Sequence, residues 1–239
     1  MEIIRNPDVK KLQEAAAFAL GDALLSARGG AVLLLLSGGS AFEMLSGVSE
    51  EVCGEHLTIG VLDERFDTDL SINNFLQLQK TNFYIRAKNA GARFIDSVPK
   101  ENESLESFSE KIEKEWKQWR RENKDGKIII TQGMGADGHT AGIMAFPENP
   151  ELFAKLFLDD ERWVVGYDAG TKNEYPKRAT ATLSFLKNEV DVALVYVAGD
   201  AKKSAFEKMI SETGTLAETP ARILREMKEV KIFTNLNTQ

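Results

Sequence analysis

Apolar residues recur along the chain in two alternating rhythms. Val9, Leu12, Ala16, Ala19 and Ala23 follow helical spacing. Asn6-Pro7 before them predicts the start, with asparagine as cap and proline at the first helical position, and Gly29-Gly30 predicts the stop. The run AVLLLL (31–36) is then apolar without a break, the pattern of a strand buried on both faces, and it ends in SGGS. LTIGVL (57–62) predicts a second strand, ending in DER. A helix is expected within INNFLQLQKTNF and a short third strand at ARFID. Leu105, Phe108, Ile112, Trp116 and Trp119 mark a strongly amphipathic helix closed by Gly126.

KIIITQ (127–132) is the next predicted strand, and GMGADGHTAG follows it directly. A less regular stretch after Pro147 and Pro150 holds two strand-like segments, RWVVGYD and RATATL. DVALVYVAG (191–199) is a buried strand followed by the helix DAKKSAFEKMI. Thr219-Pro220 predicts a further helix, and VKIFTN a closing edge strand. Strands alternating with helices predict an α/β fold: a parallel sheet with helices on both faces. No repeat, low-complexity tract or linker divides residues 1–239, so one domain is expected, with a small lobe drawn from the irregular middle.

Composition narrows this picture without changing it. The 239 residues are 43% hydrophobic and 28% charged, with a formal net charge of −7. That balance argues against non-specific nucleic-acid binding, so the positive contacts of any anionic ligand must be local. The single cysteine, Cys53, excludes an internal disulfide and fits a reducing compartment. The first residues show no apolar signal region, and the longest apolar run is too short to span a bilayer. The expectation is a cytoplasmic protein with no membrane or nucleic-acid partner, a monomer or small homo-oligomer.

The candidate chemistry collects at strand ends. Ser37-Gly38-Gly39-Ser40, Asp63-Glu64-Arg65, the segment from Gly133 to His139, and the segment from Gly199 to Lys202 each follow a predicted strand. In a parallel sheet those ends share one edge, where ligands bind at the switch point of the strand order. SGGS is either an anion site at a helix start or a plain tight turn. GMGADG fits G-x-G-x-x-G, but no long helix is expected directly after it, so a dinucleotide site is disfavoured. His139 lies two residues after Asp137, a setting that suits a general base, against the alternative of an ordinary loop histidine. Asp63, Glu64, Asp137 and His139 are a weaker metal set, and Glu64 with Arg65 reads equally as a structural ion pair. Arg178 and Lys202 supply local positive charge for a phosphate.

In this order the four clusters, with RATAT around Arg178 and GDAK at Lys202, resemble the 6-phosphogluconolactonase family, which is related to the glucosamine-6-phosphate deaminases. GMGADGHTA is the most specific block. The resemblance implies a modified Rossmann-type α/β fold and hydrolysis of 6-phosphoglucono-δ-lactone in the pentose phosphate pathway, without metal or cofactor. Carried over residue by residue, it implies His139 as base on water, Asp137 as its partner, and Arg65 and Asp63 as further catalytic groups. Gly38, Gly39, Ser40, Asn74, Gly135, Arg178 and Lys202 would contact the sugar phosphate. The chain differs from the family pattern in three loops. Ala41-Phe42 replace a Thr-Pro, Asn73-Asn74 stand where Ser-Asn is usual, and GIMAFP (142–147) follows the histidine block. The alternatives are a glucosamine-6-phosphate deaminase, with Asp63 as base, and a non-catalytic sugar-phosphate-binding protein. Met144 occupies the place of the deaminase acid.

Overall fold

The unbroken apolar runs become the inner strands of a sheet covered on both sides. The description rests on a computed structural model and takes in residues 1–237, the Ser40 side chain excepted. In chain order the elements are β1 (Glu2–Arg5), α1 (Val9–Ser26), β2 (Val32–Leu36), β3 (Leu57–Val61), β4 (Asp63–Arg65), α2 (Asn74–Leu78), α3 (Asn82–Asn89), β5 (Arg93–Phe94), α4 (Leu105–Glu122) and β6 (Lys127–Gly133). There follow α5 (Pro150–Phe157), β7 (Val164–Asp168), β8 (Lys177–Ala181), α6 (Leu183–Asn188), β9 (Val192–Val197), α7 (Lys203–Ile210) and β10 (Glu229–Thr234). Short 3-10 helices join several of them, including Gly39–Gly47 after β2 and Asp200–Lys202 after β9.

Seven strands form one sheet in the order β1-β10-β9-β6-β2-β3-β5, with every pairing parallel. Successive side chains of a strand point to opposite faces, and β2 shows the consequence. Leu33 and Leu35 join the core beneath α4, with Phe108, Ile112, Trp116 and Trp119. Val32, Leu34 and Leu36 join the core beneath α1, with Leu12, Leu20 and Leu24. The chain steps from β2 to β3 and β5 on one side and to β6, β9 and β10 on the other. The strand order therefore reverses between β2 and β6, and a crevice opens there at the carboxyl edge.

Four expectations are corrected. The first helix starts two residues later than Asn6-Pro7 predicts. Asp8 is its cap, accepting from Lys10 N and Lys11 N, while Asn6 Oδ1 accepts from Asp8 N at 3.0 Å and turns the chain across Pro7. VKIFTN is not an edge strand: β10 lies between β9 and β1, and the four residues of β1 were too few to show a period. Thr219-Pro220 opens a 3-10 helix, Pro220–Arg225, not an α-helix. Finally, the strands are not all parallel. Asp63-Glu64-Arg65, expected as the polar end of the second strand, is itself β4, the outer strand of an antiparallel sheet in the order β4-β8-β7. Both strand-like segments of the irregular middle lie in this second sheet, and their apolar residues join the α4-side core.

Trp116 sits in that core at 1% exposure, its ring centroid 4.9 Å from that of Phe185. Trp116→Ala should cost about 3–5 kcal/mol of unfolding free energy, read as a lower urea midpoint, because a rigid core relaxes only partly into such a void.

Candidate active site

β2 and β6 each deliver a glycine-bearing turn to the crevice at the strand reversal. A cleft of about 410 Å³ opens there, and Ser37, Gly38, Gly39, Asp63, Arg65, Asn74, Gly135, His139, Arg178 and Lys202 all line it. All four strand-end clusters thus meet in one place. Glu64 does not face the cleft, Asp137 stands behind His139, and the Ser40 side chain lies outside the described residues.

His139 is held by the turn that carries it. Gly138 N donates to the Gly135 carbonyl at 3.1 Å, and Gly135 N to the His139 carbonyl at 2.9 Å. The ring packs on Gly135 so closely that a Cβ there would collide with it. No helix continues from this turn: the next one is α5, from Pro150. His139 Nδ1 lies 2.6 Å from Asp137 Oδ1, which also accepts from His139 N at 3.2 Å. The hydrogen bond from the ring is the main reason that the Asp137 carboxyl is pulled down to a pKa of about 2. Asp137 therefore stays ionised at any ordinary pH and favours the tautomer with the proton on Nδ1. Nε2 has no hydrogen-bond partner among the described residues and is the atom left for a ligand.

The cations arrive from three elements. In the antiparallel pairing of β4 with β8, Arg65 lies directly opposite Arg178. Like charges in that position repel, and both side chains line the cleft. Arg178 is buried, with Nη1 3.5 Å from Asp63 Oδ2, Nη2 donating to Asn173 Oδ1 at 2.9 Å and Nε donating to the Tyr175 carbonyl at 3.1 Å. Arg65 donates from Nη1 to the Ile72 carbonyl at 3.2 Å, and its guanidinium lies over the Tyr175 ring at 5.2 Å. Lys202 comes from the 3-10 turn after β9; burial lowers its pKa, and Glu43 opposes that shift. Together these give a protein of net charge −7 a local positive site.

Glu64 is not paired with the Arg65 side chain. It is 1% exposed and accepts four hydrogen bonds, from the backbone N–H of Arg65, Asn74 and Phe75 and from the Ser97 hydroxyl. It thereby pins the start of α2 beneath the cleft. Asn74 is left donating from Nδ2 to the Asp63 carbonyl at 2.9 Å, while its buried Oδ1 has no partner and faces Gly38. A Cβ on Gly38 would strike that amide, so glycine is required there.

The unusual GIMAFP loop contributes little to the cleft. Ile143, Met144 and Phe146 are buried in the core, and of the six residues only Gly142 lines the site. Ala141 (φ +47°) and Gly142 (φ +70°) make the bend, a conformation that costs a non-glycine residue free energy. The Thr180 hydroxyl donates to the Ala141 carbonyl, and the Tyr167 hydroxyl to the Gly142 carbonyl at 2.5 Å. Asn173, Glu174 and Tyr175 also line the cleft, and the sequence reading missed them. They lie just before the RATAT block and belong to no motif themselves; the Asn-x-Tyr spacing before a proline was the one available sign of a shaped turn.

A family model described as glucosamine-6-phosphate isomerases/6-phosphogluconolactonase matches residues 7–233. The chain belongs to this family. A 6-phosphogluconolactonase of Borreliella burgdorferi is 30% identical over 109 residues, 45% of this chain and 42% of that protein, so the aligned stretch spans less than half of the relative. The structure of a 6-phosphogluconolactonase from Shewanella baltica matches with a TM-score of 0.73 at 20% identity, covering 98% of this chain and 95% of that one. That of the Trypanosoma brucei 6-phosphogluconolactonase matches at 0.74 and 17% identity, again over 98% and 95%. A monomeric glucosamine-6-phosphate deaminase matches at 0.72 and 17% identity, over 98% and 97%. The modified Rossmann-type fold is therefore shared by proteins of both names, and any choice between activities rests on the side chains of the cleft. Among the described residues, no helix is long and apolar enough to cross a membrane and no group of three His, Cys, Asp or Glu is placed to hold a metal.

Glu64 makes one consequence of this construction measurable. Burial raises its carboxyl pKa from 4.5 to about 8. A raised folded-state pKa means that the folded protein holds the proton more tightly, so this contribution to stability is fully present below pH 4.5 and is lost as the pH rises through 8. Between these limits the urea midpoint of the wild type should fall more steeply with pH than that of Glu64→Gln. Parallel slopes would mean that Glu64 titrates as an ordinary surface carboxyl.

Proposed function

We propose that the chain hydrolyses 6-phosphoglucono-δ-lactone to 6-phosphogluconate. The observation that carries this reading is the Asp137–His139 pair, with Nε2 unengaged, in the same cleft as Arg65, Arg178 and Lys202. A δ-lactone is an activated ester that a bound water attacks directly. His139 Nε2 takes the water proton as the tetrahedral intermediate forms and returns a proton to the ring oxygen as the C–O bond breaks. The Asp137 carboxylate holds the ring and stabilises its charged form. Arg65 stabilises the developing oxyanion or holds sugar hydroxyls. Arg178, Lys202, Ser40 and the backbone of Gly38 and Gly39 bind the phosphate. Asn74, which lines the cleft, contacts the sugar phosphate, and Gly135 leaves room for the ring of His139. No metal or cofactor enters the proposed reaction.

A deaminase reading is less well supported. Met144, at the place of the deaminase acid, is 1% exposed and packed in the core, and Asp63, the base of that reading, is turned toward Arg178 and the Ser37 hydroxyl.

The test is a lactonase assay coupled to oxidation of 6-phosphogluconate, corrected for spontaneous hydrolysis. His139→Ala should lower kcat by roughly 100- to 10,000-fold with little change in phosphate affinity, the range expected for loss of a general base. Arg178→Ala should instead act chiefly on KM. Near-normal turnover by His139→Ala would sink the assignment, and ammonia release from glucosamine 6-phosphate would favour the deaminase.

A further inference from the structure

Arg178 does not present itself to the cleft unaided. The segment between β7 and β8 crosses beside its guanidinium, and one side-chain oxygen organises the crossing. Asn173 Oδ1 accepts from Tyr175 N at 3.0 Å and from Arg178 Nη2 at 2.9 Å. The turn so formed aims the Tyr175 carbonyl at Arg178 Nε, 3.1 Å away. A guanidinium carries five N–H groups in a fixed fork. The loop occupies the edge made by Nε and Nη2, and Nη1 leans toward Asp63. The donors that remain, on Nη1 and Nη2, belong to a side chain only 5% exposed whose open side is the cleft. The ring of Tyr175 meanwhile supports the Arg65 guanidinium at 5.2 Å. Two residues of one turn, Asn173 and Tyr175, therefore set the direction of both arginines.

We infer that Asn173 and Tyr175 are positioning residues for anion recognition. Asn173 fixes which edge of Arg178 meets the phosphate, and the Tyr175 ring holds Arg65 over the remainder of the substrate. This deepens the sugar-phosphate reading of the same cleft and, for its substrate arm, rests on it. The physical basis is pre-organisation: a fork already held at the right angle loses less freedom when the ligand arrives.

The test uses the full chain, with inorganic phosphate as a binding probe independent of turnover and lactone kinetics as the second readout. Asn173→Ala should weaken phosphate binding and raise KM by about tenfold or more, as expected for hydrogen bonds to a charged group. Its kcat should move by less than about threefold, because the chemistry at His139 is untouched. Tyr175→Ala should raise KM by ~2- to 5-fold, and Tyr175→Phe, which keeps the ring face, should recover most of that loss. Thermal unfolding of each variant separates lost positioning from lost fold, and if Asn173→Ala fails to fold, the Tyr175 pair decides. Wild-type phosphate affinity and KM in Asn173→Ala overturn the inference, as does equal damage from Tyr175→Ala and Tyr175→Phe. Should the wild type turn over no lactone while Asn173→Ala still loses phosphate affinity, the proposed reaction falls and the positioning stands. Lactone turnover that Asn173→Ala leaves unaltered has the opposite meaning.

Discussion

The site depends on a single strand crossing. After β3 the chain leaves the parallel sheet and, one residue later, pairs antiparallel with β8. Leu62 is the joint: its N–H donates to Leu36 in β2, and its carbonyl accepts from Ala181 in β8. The register set there decides everything that follows in β4. Asp63 and Arg65 fall on the cleft side, and Glu64, between them, is sent inward to hold the start of α2. A one-residue slip would exchange these faces, placing Glu64 in the cleft and burying Arg65. The short antiparallel sheet is thus what converts the edge of a parallel sheet into a walled pocket.

Much of this was legible in the amino-acid sequence. Inner strands buried on both faces are read easily as unbroken apolar runs, as in β2, β3, β6 and β9. Their carboxyl ends had to share an edge, and so the meeting of Gly38, Asp63, His139 and Lys202 followed from topology alone. What escaped the reading has physical reasons. β4 is three polar residues whose strand character comes from β8, 115 positions away, and not from any local preference. β1 is an edge strand of four residues. The Asn173–Tyr175 turn acts through a side-chain oxygen and a main-chain carbonyl, and a carbonyl leaves no trace in the identity of its residue.

The departures of GIMAFP from the family pattern have a different meaning once the chain is folded. Ile143, Met144 and Phe146 are core residues beneath the site, and Tyr167 ties the loop to β7 through the Gly142 carbonyl. Their variation belongs to the packing under the floor of the cleft. Most groups in the cleft itself are drawn from the blocks that match the family, with Gly142 and the Asn173–Tyr175 turn as additions.

The facing arginines of β4 and β8 link folding to occupancy. Two guanidinium groups at directly paired positions repel one another, and Asp63 approaches Arg178 at 3.5 Å. On the proposed function, a dianion seated between them would turn the repulsion into a shared attraction. Ligation and folding are then coupled equilibria: at a free concentration one hundred times its Kd, such a ligand raises the unfolding free energy by about 2.7 kcal/mol. On the same proposed function, a sugar phosphate bound between these arginines would add to the cohesion of the fold as the side chains that hold it do.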